Sequence, residues 1–199
     1  MVWVDGAREM VTLRWGLVPS WSKDPAIGNR MINAKAETVA VKPAFRAAFR
    51  RRRCLIPATG FYEWQSQPTG KQPWNIQRRG GGLIAFAGLW EHWESQGESL
   101  RTCTILTTAA NQTLAPIHSR MPVIVQPGHF EGWLEPAASP DVLQNWRRVP
   151  MIMWWAIRSV ATSTIRLTTT NSVSSHSESS GLLLAQEVGK LFGAEGWAE

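Results

Sequence analysis

Three short polar segments of the chain carry the residue types of an active site. Met31–Thr38 contains an amide, Gly60–Trp64 contains a carboxylic acid, and Ile117–Pro122 contains an imidazole beside a guanidinium. Amide, acid and imidazole groups together can orient a substrate oxygen and move protons near neutral pH. No obvious nucleophile accompanies them. The pattern therefore predicts positioning and proton-transfer chemistry whose attacking group is missing.

Glu63 is the candidate acid. In an extended strand, Phe61, Glu63 and Gln65 share one face, while Tyr62 and Trp64 lie on the other. Desolvation by neighbouring aromatic rings would raise the pKa of the glutamate and keep it protonated near neutral pH. A buried glutamate is also often paired with an arginine for structural reasons, and the residues alone leave that alternative open.

His118 is the candidate proton carrier. Pro122 biases Met121 toward an extended backbone, so His118 and Arg120 are expected to point the same way. Imidazole titrates in the physiological range, and the guanidinium could bind a phosphate through two hydrogen bonds. The alternative is a hydrogen-bonded structural histidine.

Asn33 is the third candidate. In an extended stretch, Asn33, Lys35 and Glu37 lie on one side, while Ala34 and Ala36 allow close packing on the other. An asparagine can orient a substrate oxygen or amine without titrating. This segment alone is weak evidence for a site, and it becomes significant because the other two segments accompany it.

The chain is basic, with a formal net charge of +6 and a pI near 10.0. Positive charge concentrates at Arg46 and Arg50–Arg53, with Arg78 and Arg79 farther along. This balance favours a polyanionic partner, and nucleic acid is the commonest. An equally weighted alternative is that Lys42–Arg53 forms an amphipathic helix with its phenylalanines inward and its arginines toward water.

Twelve tryptophans stand against one tyrosine. A buried indole N–H needs a hydrogen-bond partner, which makes tryptophan a costly core filler. Stacking of a base on an aromatic ring is worth about 1–3 kcal/mol and depends little on sequence. We therefore expect Trp15 and Trp21, which flank Gly16–Ser20, to contact a single strand, whereas core packing accounts for most of the twelve.

The length of 199 residues suits a single domain with a substantial core. The longest apolar runs, Leu83–Trp90 and Met151–Ile157, are shorter than the ~20 residues of a membrane helix, and the first ten residues do not resemble a secretory signal. We expect a cytoplasmic protein with no membrane association and no metal or other cofactor. Cys54 and Cys103 sit in apolar strand-like contexts and are expected to be reduced, buried thiols.

The elements that position these residues are mostly strands. Runs of adjacent strands with few helices predict an α+β fold built on a curled antiparallel or mixed sheet. Gln72–Arg79 and Leu83–Trp90 are expected to pair as a hairpin across Gly80–Gly82. A helix is expected at Pro127–Leu134. Further strands are predicted at Val11–Trp15, Cys54–Ala58, Phe61–Gln65, Arg101–Thr108 and Met121–Gln126.

The chain resembles the SOS response-associated peptidase (SRAP) domain, a family that shields abasic sites in single-stranded DNA. The resemblance covers roughly Val11–Asp141. Four motifs carry it in the family's order and spacing: Trp15–Trp21, Ile32–Thr38, Arg53–Trp64 and Ile117–Pro122. Chance agreement of all four is negligible.

The resemblance implies roles for the candidate residues. Asn33 would position the attacking amine and the sugar, Glu63 would act as acid and base, and His118 would carry protons on the ring-opened sugar. Lys35 and Arg120 would contact the DNA backbone. In the family, a cysteine directly after the initiator methionine captures the abasic aldehyde as a thiazolidine. The implied partner is single-stranded DNA with abasic sites, and no obligate protein partner is evident.

The chain departs from the family pattern at both ends. Residue 2 is Val2, and the family's opening Met-Cys-Gly-Arg segment is absent, so we expect covalent capture to fail. Neither Cys54 nor Cys103 can replace an N-terminal cysteine, because the thiazolidine needs a thiol and a free α-amine on one residue. If the codons of Met151–Arg166 are read starting from the third base of each, the shifted reading frame can encode the sequence that the family has at this point. We therefore predict a frameshift between about residues 143 and 150, with a partial SRAP-like domain at 1–145 and a divergent tail at 146–199.

Overall fold

The structure is a computed structural model that describes residues 1–4, 7–137 and 155–159; for residues 3, 4, 7 and 155–159 it describes the backbone alone. The predicted boundary at residue 145 and most of the predicted tail lie outside the described residues. Two β-sheets with a few short helices make up the described part. The predicted α+β, β-rich fold with mixed strand pairing is confirmed.

The strands are β1 (Val2–Val4), β2 (Ala7–Glu9), β3 (Arg14–Trp15), β4 (Asn33–Lys35), β5 (Arg53–Ala58), β6 (Gly60–Gln67), β7 (Gly70–Arg78), β8 (Ile84–Ser95), β9 (Glu98–Ala109), β10 (Arg120–Pro122), β11 (Ile124–Val125) and β12 (Trp155–Ser159). The α-helices are α1 (Arg46–Arg51) and α2 (Phe130–Leu134), and 3-10 turns occupy Pro25–Arg30 and Pro127–His129.

Nine strands form the larger sheet, whose main path runs β10-β9-β8-β5-β1-β2. The short strands β3 and β4 pair with β9 in parallel, and the other pairings in this sheet are antiparallel. The segment from residue 120 to residue 125 links two long strands, because β10 pairs with β9 while β11 pairs with β8. This segment begins with Arg120, two residues after His118.

The smaller sheet contains β6, β7 and β12. Its central strand β7 pairs with β6 and β12, not with β8, so the predicted hairpin across Gly80–Gly82 is wrong. The three glycines all adopt positive φ, and the chain passes through them from the smaller sheet to the larger one. The two-residue hairpin turns lie elsewhere, at Pro68–Thr69 between β6 and β7 and at Gln96–Gly97 between β8 and β9.

The basic segment around α1 divides into a wet face and a buried end. Phe45 and Phe49 are buried, as the amphipathic pattern predicted. Arg46, Arg50 and Arg51 are exposed. The prediction that the arginines all face water is wrong for Arg53, which is 2% exposed. Hydrogen bonds satisfy its guanidinium, which donates to the carbonyls of Phe49, Arg50, Trp133 and Glu135.

The main core lies between the larger sheet and the two α-helices, with Leu55, Leu89 and Trp133 among its most buried members. Cys54 and Cys103 are buried and free, as predicted. A second cluster of Ile76, Leu114 and Met121, against which Phe61, Trp74, Ala110, Ile117 and Ile124 pack, joins the smaller sheet to the turn before β10. Within the described ranges, no helix is long and apolar enough to cross a membrane.

Candidate functional site

Glu63 and His118 form the centre of the candidate site. Oε1 of Glu63 lies 3.4 Å from Nδ1 of His118, with side chains that are 21% and 43% exposed. Glu63 lies on β6, opposite Trp74 of β7. The Nε2 of Gln65 donates to the carbonyl of Pro116 at 2.9 Å, and this bond ties β6 to the turn before His118. Residues that are far apart in sequence thus meet where the smaller sheet packs against this turn.

The strand pattern around Glu63 agrees with the sequence. Phe61, Glu63 and Gln65 are half-buried, and Tyr62 and Trp64 are exposed. Burial raises the pKa of Glu63 above the ordinary value for a glutamate, while His118 and the backbone N–H of Trp64 lower it. Because burial is the largest of these effects, Glu63 keeps its proton to higher pH than an exposed glutamate does. Such a group can donate a proton close to neutral pH.

The imidazole of His118 is held by the backbone of Arg120. The N–H of Arg120 donates to Nδ1 at 3.2 Å, and the carbonyl oxygen of Arg120 lies 3.0 Å from the same nitrogen. When Nδ1 accepts, the neutral ring carries its proton on Nε2; when Nδ1 is protonated, it can donate to that carbonyl or to Glu63. The two side chains can therefore exchange a proton.

The extended run predicted for His118 and Arg120 is not found. Strand β10 begins only at Arg120, and the chain bends at Ser119. The Nη1 and Nη2 atoms of Arg120 each lie 3.0 Å from one carboxylate oxygen of Glu37. Nη2 also donates to the carbonyl and hydroxyl oxygens of Thr107, at 2.5 and 3.1 Å. The guanidinium is therefore bound within the protein, and its contact with a phosphate stays a prediction.

Asn33, Lys35 and Trp15 lie in a row beside β9. Their pairing partners on β9 are Ile105, Thr107 and Cys103, which alternate along that strand. Paired residues share a face of the sheet, and every second residue of a strand returns to that face, so the three side chains lie on one side at spacings of about 7 Å. All three are exposed, while Ala34 is buried.

This row adjoins the Glu63–His118 pair through Arg120. The guanidinium of Arg120 binds the Thr107 hydroxyl, on the side of the sheet that carries Asn33 and Lys35, and its backbone holds His118. Asn33 makes no hydrogen bond to Glu63 or His118 among the described residues. The structure thus joins Glu63, His118 and Arg120 by direct contacts and places Asn33 and Lys35 on the neighbouring strand.

The two candidate stacking residues are exposed rings on well-held backbone. Trp15 is 56% exposed, and its Nε1–H donates to the carbonyl of Ile32 at 2.7 Å, so the indole is anchored by its edge. Trp21 is 61% exposed. Its loop is fixed by the Nε1–H of Trp93, which donates to the carbonyl of Ser22 at 2.7 Å. Both rings are available to a ligand without breaking a core contact.

Two partners of the site, Glu37 and Thr107, were not predicted from the sequence. Glu37 was expected only to lie on the same side of the chain as Asn33 and Lys35. The alternation that puts Glu37 on the same side as Asn33 was the available signal. Among the described residues, no group of three or more His, Cys, Asp or Glu side chains could hold a metal ion.

Comparison with known proteins identifies the family of this chain. A crystal structure of a protein from Bacteroides thetaiotaomicron superposes with a TM-score of 0.70 at 27% identity, covering 76% of this chain and 69% of the other. The abasic site processing protein YoaM of Bacillus subtilis is 51% identical over 136 residues, covering 67% of this chain and 60% of YoaM. The abasic site processing protein HMCES of Gallus gallus is 35% identical over 158 residues, covering 67% of this chain and 47% of HMCES.

The chain thus spans about 60% or less of the length of these two relatives. The model of the family described as SOS response associated peptidase (SRAP) matches residues 2–163, which is most of the chain. The matched range includes Asn33, Glu63 and His118 and every other residue of the site described above. The chain belongs to the SRAP family.

Proposed function

We propose that this chain processes abasic sites in DNA and binds them in single-stranded form. The observation that carries the proposal is the Glu63–His118 pair at 3.4 Å beside an exposed row of Trp15, Asn33 and Lys35. Two side chains that can exchange a proton, next to a polar and aromatic surface, suit a sugar aldehyde in single-stranded DNA. The names of the relatives and the net charge of +6 support a DNA substrate.

In DNA binding, the two exposed tryptophans stack on bases and Lys35 supplies positive charge. Trp15 and Trp21 offer faces to bases on either side of the lesion. Lys35 is exposed beside Asn33 and supplies a cation for a phosphate. A phosphate would compete with Glu37 for Arg120, because both terminal nitrogens of its guanidinium already bind that carboxylate.

The chemical part of the proposal concerns the ring-opened sugar. Asn33 orients its oxygen, Glu63 gives and takes a proton at the aldehyde oxygen, and His118 carries protons on the sugar. Covalent capture as a thiazolidine further needs an α-amine and a thiol on the same residue. Cys54 and Cys103 have their α-nitrogens in peptide bonds, and burial raises the pKa of both thiols. We therefore propose that this polypeptide binds the lesion without forming a thiazolidine through Cys54 or Cys103.

The test uses a fluorescent single strand with one central abasic site and the same strand with an intact base. Fluorescence anisotropy is expected to show tighter binding of the abasic strand, with affinity falling steeply as salt rises. A denaturing gel of the same mixture is expected to show no shifted band. Absence of binding, or a response that is flat in salt, would contradict DNA recognition, and a shifted band would contradict the absence of a thiazolidine.

A matched pair of lysine variants sharpens this test. Lys35→Gln is expected to reduce the slope of log affinity against log salt by about one. Lys71→Gln, at the exposed end of the β6–β7 hairpin, removes the same charge away from the proposed surface and is expected to leave the slope unchanged. Equal effects of the two variants would remove Lys35 from the interface.

General binding of single-stranded DNA is the second candidate function. The exposed rings of Trp15 and Trp21 favour it, because stacking on indole works for any base. Equal affinity for the abasic and the intact strand would select it over lesion recognition.

A further inference from the structure

Glu37 lies outside the three residues to which the chemistry was assigned, yet it makes the main ionic contact of the site. Its two carboxylate oxygens each lie 3.0 Å from a terminal nitrogen of Arg120. We propose that Glu37 is a positioning residue that holds Arg120 away from Glu63 and so leaves Glu63 to pair with His118. The inference rests on the proposed role of Glu63 as an acid.

The geometry makes Arg120 the residue shared by both carboxylates. Its side chain is bound on one side by Glu37 and Thr107. Its backbone holds Nδ1 of His118, which lies 3.4 Å from Glu63. Glu63 is therefore the next carboxylate along this series of contacts. A two-bond pair with a carboxylate fixes the direction of a guanidinium more firmly than a single bond does.

Arg120 also has hydrogen-bonding capacity left over. Its Nε is buried and has no hydrogen-bond partner among the described residues. A guanidinium released from Glu37 would gain from any further acceptor, since an unpaired buried donor is costly. The half-buried carboxylate of Glu63 is the acceptor that the contacts through His118 bring near.

Pairing of Arg120 with Glu63 would work against an acid. An opposite charge within about 4–6 Å favours the ionised form of a carboxylate. The ionisable side chain that acts on Glu63 in the described structure is His118, and the facing strand supplies the uncharged Trp74. Binding of Arg120 by Glu37 therefore leaves burial as the largest influence on the pKa of Glu63, and burial raises that pKa.

The test is an NMR titration of the Glu63 side-chain carboxyl carbon in the full chain labelled with 13C-glutamate, without DNA. Glu37→Gln keeps the shape of the side chain and removes the charge, and it is expected to move the Glu63 titration to lower pH. Glu37→Asp keeps the charge and is expected to restore most of the wild-type titration. Glu94→Gln, which removes another exposed carboxylate, serves as the control and is expected to leave the titration unchanged.

A double-mutant cycle separates the proposed route from simple repulsion between two carboxylates. If Glu37 acts through Arg120, the shift caused by Glu37→Gln disappears in an Arg120→Gln background. An equal shift in that background, or no shift in the single variant, would overturn the proposal. Thermal unfolding of each variant confirms that it is folded. Because the titration contains no DNA, its outcome is independent of the anisotropy test, so failure of one proposal is distinguishable from failure of the other.

Discussion

Arg53→Met is expected to destabilise the fold strongly, although Arg53 follows closely on two exposed arginines, Arg50 and Arg51. The Arg53 guanidinium donates to Phe49 O and Trp133 O at 2.7 Å, to Arg50 O at 2.9 Å and to Glu135 O. It thereby joins the C-terminal end of α1 to that of α2. Burial lowers its pKa to about 10, which still leaves it charged near neutral pH.

The expected loss in the free energy of unfolding follows from the carbonyl oxygens that would lose their hydrogen-bond donor. The bonds to Phe49 and Trp133 are buried, and a buried acceptor left without a partner costs about 1–3 kcal/mol. Two such acceptors would together cost about 2–6 kcal/mol of stability. The substitution to methionine offsets part of this cost because it removes a buried charge. We expect a net loss of about 3 kcal/mol, a large share of the roughly 5–15 kcal/mol of a typical domain.

Urea unfolding followed by tryptophan fluorescence measures this loss. With a slope of about 2 kcal/mol per molar, the midpoint is expected to fall by roughly 1.5 M. Arg51→Met removes an exposed arginine of the same run and is expected to stay within about 0.5 kcal/mol of the wild type. Equal midpoints for the two variants would show that the buried hydrogen bonds of Arg53 do not stabilise the fold.

Trp15→Ala is expected to weaken binding of single-stranded DNA by about 1–3 kcal/mol, measured by anisotropy, because it removes one exposed stacking ring. Gly88→Ala is expected to cost about 1–3 kcal/mol in urea unfolding, since a Cβ there would lie 2.7 Å from the Sγ of Cys54. The raised pKa of Glu63 means that this group stabilises the fold in its protonated form, an effect lost as the pH rises through that pKa. Glu63→Gln, a mimic of the protonated form, is therefore expected to gain urea stability relative to the wild type as the pH rises above 4.5, the ordinary value for a glutamate; a difference independent of pH would contradict this.

Period-two alternation predicted most of the strands, because each is long enough to bury one face. It identified the buried face of β6 and the burial of Ala34 between Asn33 and Lys35. It failed at the glycine segment before β8, where the expected hairpin does not form. Sequence reveals that a glycine-rich stretch can turn, but the sheet to which the next strand belongs is decided by long-range packing.

The candidate site was predictable in its residues and less so in its contacts. Burial of Glu63 follows from local alternation, whereas the approach of His118 depends on the bond between Gln65 and Pro116 and on the cluster around Leu114. The ion pair of Glu37 with Arg120 joins residues 83 positions apart. Charge alone could not predict it, because many other pairings were available in the sequence.

Strand β12 covers one edge of β7 in the smaller sheet. It pairs antiparallel with β7 over five residues, from Trp155 opposite Arg78 to Ser159 opposite Trp74. A β-ladder is formed by peptide groups, which are the same for every residue except proline. Strand β12 can therefore pair with the edge of β7 through its backbone whichever side chains it carries, and this pairing lowers the risk of edge-to-edge aggregation.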